Sequence, residues 1–69
     1  MTNAIATEIR KVAQFMAVDE FGNLWIGGDG LKNAGNRKDV DRLFELGAVR
    51  YDGMCIRVNE DYASLFDRI

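Results

Sequence analysis

Apolar side chains recur at helical spacing near the start of the chain. They follow one another at steps of four, three and four residues, as Ile5, Ile9, Val12 and Met16. Such steps place side chains on one face of an α-helix. The pattern predicts a first helix over residues 3–17, with the side chain of Thr2 or Asn3 as its N-cap.

Two further helices are predicted in the second half of the chain. One covers residues 37–46, with Asn36 as its N-cap and with Gly47 in the left-handed conformation that ends many helices. The other follows Asn59, whose side chain is expected to cap it. The apolar faces of these helices comprise Val40, Leu43 and Phe44 in the first and Tyr62, Leu65, Phe66 and Ile69 in the second.

Short apolar runs beside glycine turns predict one or two β-hairpins, because the first helix could also continue through the arm that precedes Gly22. Gly22-Asn23 is the expected turn of the first hairpin and leads into the strand Leu24-Trp25-Ile26. Asp52-Gly53 is the expected turn of the second. This turn pairs Tyr51 with Met54, Arg50 with Cys55, Val49 with Ile56 and Ala48 with Arg57. Side chains alternate along a strand, so the apolar residues share one face while Arg50 and Arg57 lie on the other.

The predicted order is helix, strand or hairpin, glycine-rich loop, helix, hairpin and helix. We therefore predict a single α+β domain over residues 1–69, with three helices and one or two β-hairpins. Within the loop, Gly27-Gly28-Asp29-Gly30 lacks the Lys or Arg of a phosphate-binding loop, and we interpret it as a flexible connector. The predicted core residues are Ile5, Ile9, Val12, Met16, Leu24, Ile26, Val40, Leu43, Phe44, Val49, Ile56, Val58, Leu65 and Phe66.

The composition argues against several kinds of chemistry. The chain has no His and one Cys, which excludes imidazole catalysis, an internal disulfide and CxxC metal or redox motifs. We expect no catalytic site, no metal, no cofactor and no small-molecule substrate. No apolar run approaches the ~20 residues that span a membrane, and the first residues do not resemble a signal peptide. These features predict a cytoplasmic protein that is not an enzyme.

Basic residues are concentrated in the middle of a weakly acidic chain. The net charge is −2, yet residues 30–58 carry six basic and four acidic side chains. Cations on a helix and an adjoining hairpin suit contacts with phosphates, or with a protein partner. The predicted partner-binding residues are Arg37, Lys38, Arg42, Arg50 and Arg57. The alternative is a solvated helix face with ion pairs such as Asp39–Arg42 and Lys38–Asp41.

The second half of the chain resembles the winged helix–turn–helix family. Residues 31–36 are similar to its short first helix and turn, residues 40–47 to its recognition helix, and residues 48–58 to its wing. The resemblance implies a winged-helix-like fold in which the helix and the wing contact DNA. It also implies the function of a small DNA-binding regulator of transcription.

A second class of function fits the same composition. Small size, acidity and the lack of catalytic groups resemble the protein-binding inhibitors that phages and other mobile elements direct against host enzymes or defence systems such as CRISPR effectors. In such a protein Trp25 and Tyr51 would anchor the partner, although we expect both side chains to pack in the core. High apolar content in so short a chain also suggests a homodimer or a hydrophobic patch for a partner, with the first helix and Phe15 as the expected contact surface.

Overall fold

The computed structural model describes residues 3–69. Its α-helices are α1, Asn3–Val12, and α2, Ala34–Glu45. Its strands are β1, Met16–Val18; β2, Leu24–Ile26; β3, Val49–Asp52; β4, Cys55–Val58; and β5, Asp67–Arg68. Short 3-10 helices cover Ala13–Phe15, Gly30–Lys32 and Glu60–Leu65. The fold is α+β, as predicted, and the predicted order of elements is confirmed up to the third helix. That helix ends at Leu65 and strand β5 follows it, so the prediction that Ile69 lies on its apolar face was wrong. No helix in the described part is long and apolar enough to cross a membrane.

The first helix is shorter than predicted. Helix α1 ends at Val12, one 3-10 turn follows, and Met16 begins strand β1 instead of extending the helix. The change occurs because the backbone joins a sheet here, where the carbonyl of Phe15 accepts a hydrogen bond of 2.7 Å from the N–H of Gly27. Thr2, one of the two predicted caps, lies outside the described residues.

Strands β1 and β2 form the first hairpin. The prediction of a two-residue turn at Gly22-Asn23 was wrong, because Asp19 and Asn23 are the closing pair, joined by a backbone hydrogen bond of 3.0 Å. The loop therefore has three residues, and Gly22 takes the last position with φ +84°. A three-residue loop with glycine in this left-handed position is a common hairpin connection. Strand β5 joins the sheet beside β1, parallel to it.

Helix α2 begins three residues before its predicted start. The N-cap is Asn33, whose side-chain oxygen accepts hydrogen bonds from the N–H groups of Gly35 and Asn36. Asn36, the predicted cap, instead donates its amide to the carbonyl of Gly30 at 2.9 Å. Both asparagines suit an N-cap, and the contact with the preceding loop occupies the second. Gly47 follows the helix with φ +78°, the left-handed conformation predicted for it.

The register of the second hairpin differs from the prediction by two residues. Tyr51 pairs with Ile56 and Arg50 with Arg57, while Gly53 and Met54 form the loop. Gly53 occupies the first loop position with φ +64°, as in a type II′ turn. A shift of two preserves the side-chain alternation, so the predicted separation of apolar and arginine faces is retained.

The two hairpins meet at one point. Asn23 forms an isolated antiparallel bridge with Arg57, and the N–H of Val58 donates to the carbonyl of Gly22 at 2.9 Å. The guanidinium of Arg57 adds a hydrogen bond of 3.2 Å to the side-chain oxygen of Asn23. No other pairing joins β2 to β4 in residues 3–69, and a hollow lies between these strands.

The core lies between the helices and the inner faces of the strands. Within residues 3–69 its buried apolar members are Ile9, Val12, Met16, Val18, Leu24, Val40, Leu43, Ala48, Val49, Val58 and Phe66. Val18 and Ala48 were not predicted. Ile5, Ile26, Phe44 and Ile56 pack at its margin as partly buried residues. Leu65 was predicted to be buried, but it is 41 % exposed because its segment forms a 3-10 helix, not an α-helix.

Candidate functional site

Arg37 and the two hairpin arginines, Arg50 and Arg57, lie on opposite faces of the second hairpin. Arg37 lines a hollow on the α2 side of the second hairpin, beside Tyr51. Arg50 and Arg57 line a hollow on the opposite face, together with Glu60. Alternation along β3 and β4 causes this separation, because Tyr51 and Arg50 are neighbours and point to opposite faces.

Two of the five cations are engaged within the chain. Arg42 pairs with Glu45 at 3.3 Å. Arg57 bonds Asn23 and lies 3.8 Å from a carboxylate oxygen of Asp52. The other three cations, Arg37, Lys38 and Arg50, have side chains that make no ion pair or hydrogen bond with residues 3–69. The predicted Asp39–Arg42 and Lys38–Asp41 pairs are absent from the same residues.

Large apolar side chains are exposed around the gap between β2 and β4. Trp25 is 59 % exposed and Tyr51 69 %, so the expectation that both pack in the core was wrong. Met54 at the hairpin tip is fully exposed, and Leu31 is also exposed. We call this region the apolar surface, and it comprises Trp25, Ile26, Leu31, Tyr51, Met54 and Ile56.

Two hollows make the apolar surface continuous. The first has a volume of about 320 Å³ and is lined by Trp25, Met54 and Cys55, among others. The second has a volume of about 220 Å³ and is lined on its α2 side by Phe44, Val40, Arg37 and Asp41. Ile26 and Ile56 line both hollows and form their shared floor. The surface therefore extends from Trp25 on one side to Leu31 and Tyr51 on the other.

The aromatic side chains of this surface are held in place. The indole N–H of Trp25 donates to Oδ2 of Asp19 at 2.9 Å. Oδ1 of the same carboxylate accepts from the N–H groups of Phe21 and Asn23, each at 2.9 Å. The hydrogen bond from Trp25, with those from Asn23 and Phe21, holds the pKa of Asp19 below its ordinary value against the smaller opposing effect of desolvation. Tyr51 stacks on Phe44 with ring centroids 4.7 Å apart.

The glycine-rich loop, predicted to be a flexible connector, contacts the core at Gly27 and Gly30. The N–H of Gly27 donates to Phe15, and the N–H of Gly30 donates to the carbonyl of Gly27 at 2.9 Å. Gly30 is buried against the ring of Phe15. Gly30 packs against the Phe15 ring, which stays partly buried, and a dimer through α1 and Phe15 remains a prediction. The two N–H groups are occupied within the chain.

The structure also places the single cysteine and the acidic groups. Cys55 is exposed and lines the first hollow beside Trp25. In the described part of the chain, no three His, Cys, Asp or Glu side chains lie close enough together to hold a metal ion.

No protein-family model, curated protein or solved structure matches this chain. The sequence did not predict that the side chains of the apolar surface are exposed together. The signal for this surface was present in Trp25 and Tyr51, two large aromatic residues in a short chain, but their exposure depends on where the two hairpins lie relative to each other.

Proposed function

We propose that this chain is a small, non-catalytic protein-binding module of the inhibitor or adaptor class, and that its apolar surface contacts the partner. The supporting observation is the exposure of Trp25, Tyr51 and Met54 around one floor of isoleucines. Clustered exposed apolar side chains mark interaction surfaces in soluble proteins. Aromatic anchors contribute much of the binding energy at such interfaces.

The fixed positions of the aromatic rings support the same proposal. Asp19 holds the indole of Trp25, and Phe44 supports the ring of Tyr51. Anchors that are already ordered lose less conformational entropy when a partner binds. The distribution of charge favours protein over nucleic acid, because Asp41 and Glu45 lie among the cations of α2 and Glu60 lies beside Arg50. Neighbouring carboxylates repel phosphates and so reduce the electrostatic attraction on which nucleic-acid affinity depends.

The second candidate function is the winged-helix-like, DNA-binding regulator of transcription. Two observations favour it: α2 leads through Gly47 into a hairpin, and Arg37, Lys38 and Arg50 have no ion partner within residues 3–69. Under this function the cations contact phosphates and the hairpin acts as the wing.

Affinity capture from a bacterial lysate, with and without nuclease, separates the two functions. One variant carries Tyr51→Ser and Met54→Ser, and its counterpart carries Arg37→Gln, Lys38→Gln and Arg50→Gln; circular dichroism checks that both are folded. For the protein-binding module we expect capture that survives nuclease, is lost with the first variant and persists with the second. Capture that nuclease abolishes, and that only the second variant loses, would establish the DNA-binding regulator instead.

A further inference from the structure

The rim of the second hollow carries one cation and one anion. Arg37 and Asp41 lie four residues apart on α2 and both line this hollow. Neither side chain forms an ion pair with the other or with any other described residue. On a helix, an ion pair at this spacing is less favourable when the basic residue is N-terminal to the acidic one. This order is consistent with two side chains that do not pair with each other and whose charges are available to a partner.

An apolar floor with one positive and one negative group at its rim is self-complementary. In a two-fold symmetric dimer the same surface of each copy forms the interface. If residue i of the first copy contacts residue j of the second, then residue j of the first copy contacts residue i of the second. Two copies that meet across Ile26 and Ile56 bring Arg37 of each to Asp41 of the other. Both charges are then neutralised, and the exposed ring of Tyr51, which lines the same hollow, is covered.

The adjoining strand edge supports the same arrangement. One edge of strand β2 is hydrogen-bonded to β1. Along the other edge, the only pairing within the described residues is the Asn23–Arg57 bridge. Ile26 lies beyond that bridge, on an open edge. Open edges of this kind are ready to pair with another chain unless something covers them.

We propose that the occupant of the apolar surface is a second copy of this chain, held by two symmetry-related Arg37–Asp41 ion pairs. The proposal rests on the proposed function, that this surface binds protein. It also implies that any other protein partner competes with the second copy for the same surface.

Sedimentation equilibrium of the purified chain over a range of concentrations tests this proposal by charge reversal. We expect a dimer for the wild type. Arg37→Asp and Asp41→Arg should each weaken it at least about tenfold, because symmetry places the altered contact twice in the interface. The double variant carrying both changes should regain most of the lost affinity. Lys38→Asp, a matched reversal at an exposed position outside the hollow, should leave the dimer unchanged.

Five outcomes decide between this inference and the proposed function. A wild type that stays monomeric, or a double variant no tighter than either single one, overturns the second copy as occupant. A dimer that is insensitive to Tyr51→Ser and Met54→Ser also overturns it, because the contact then lies elsewhere. A monomer that still captures protein through Tyr51 and Met54 leaves the proposed function standing. A dimer lost in these variants while capture persists overturns the proposed function and retains the inference.

Discussion

Trp25 donates its indole N–H to Oδ2 of Asp19 at 2.9 Å, across the mouth of the first hairpin. The other oxygen of the carboxylate accepts the two backbone N–H groups that close the turn. One side chain therefore orders both the turn and an anchor of the apolar surface. The protonation state of Asp19 is consequently coupled to the position of Trp25.

Trp25 fluorescence should titrate with Asp19. The hydrogen bond from Trp25 lowers the pKa of Asp19, so the contribution of this group to stability is complete above the ordinary aspartate value of about 3.9 and is lost as the pH falls through the lower, folded-state pKa. We expect the emission of Trp25, the single tryptophan, to change with a midpoint below about 3.9. Asp19→Asn should remove the transition, while Asp67→Asn should retain it. A midpoint at or above the ordinary value would contradict the assigned hydrogen bond.

Gly30→Ala should destabilise the fold. A Cβ on Gly30 would lie 2.6 Å from Cδ1 of Phe15, so the ring must move. We expect a loss of about 1–3 kcal/mol in the free energy of unfolding, measured by urea denaturation. Gly28→Ala is the matched control, because no described atom lies within 4 Å of its Cβ position. Equal stability of the two variants would show that the loop is not packed on Phe15.

Leu43→Ala and Leu65→Ala should differ sharply. Leu43 is fully buried, whereas Leu65 is 41 % exposed. Truncation of a buried leucine costs about 2–5 kcal/mol, so we expect Leu43→Ala to leave most of the chain unfolded. Leu65→Ala should cost about 1 kcal/mol or less. Thermal unfolding followed by circular dichroism measures the stability of both variants. Comparable losses of stability would show that the 3-10 segment belongs to the core.

Arg57→Gln should loosen the junction of the two hairpins, while Arg50→Gln should not. Arg57 bonds Asn23 and approaches Asp52, but Arg50, directly opposite, has no ion pair or hydrogen bond with residues 3–69. We expect a loss of about 1 kcal/mol for Arg57→Gln. Arg50→Gln should be neutral or slightly stabilising, because it removes a like charge across the strand pair. Faster amide exchange at Val58 in the first variant alone would locate the effect at the junction.

The second hairpin illustrates how far local sequence determines structure. Alternation fixed which residues share a face, and that prediction is confirmed. The register is set by two further contacts: Val49 and Val58 are both buried opposite each other, and the N–H of Asn59 donates to the carbonyl of Ala48 at 2.9 Å. Both contacts depend on packing against the rest of the fold, which a turn signal does not contain.

The candidate site was harder to predict for the same reason. The basic residues could be identified from the sequence, but the separation of Arg37 from Arg50 depends on which face of the hairpin meets α2. The relative position of the two hairpins is fixed in part by the bridge between Asn23 and Arg57, a contact between distant parts of the chain that local sequence does not indicate. Local sequence patterns show which side chains are apolar. Which of these side chains are buried depends on tertiary packing.

The most direct test of protein binding through the apolar surface is the alkylation rate of Cys55. This residue is the single cysteine, is exposed and lies beside Trp25 in the first hollow. Iodoacetamide should modify it readily in the monomeric chain, diluted below the concentration at which it dimerises. In a complex captured from nuclease-treated lysate, we expect the rate to fall severalfold and the emission of Trp25 to shift to shorter wavelength. An unchanged alkylation rate in that complex would show that the partner binds elsewhere and would contradict the proposed surface.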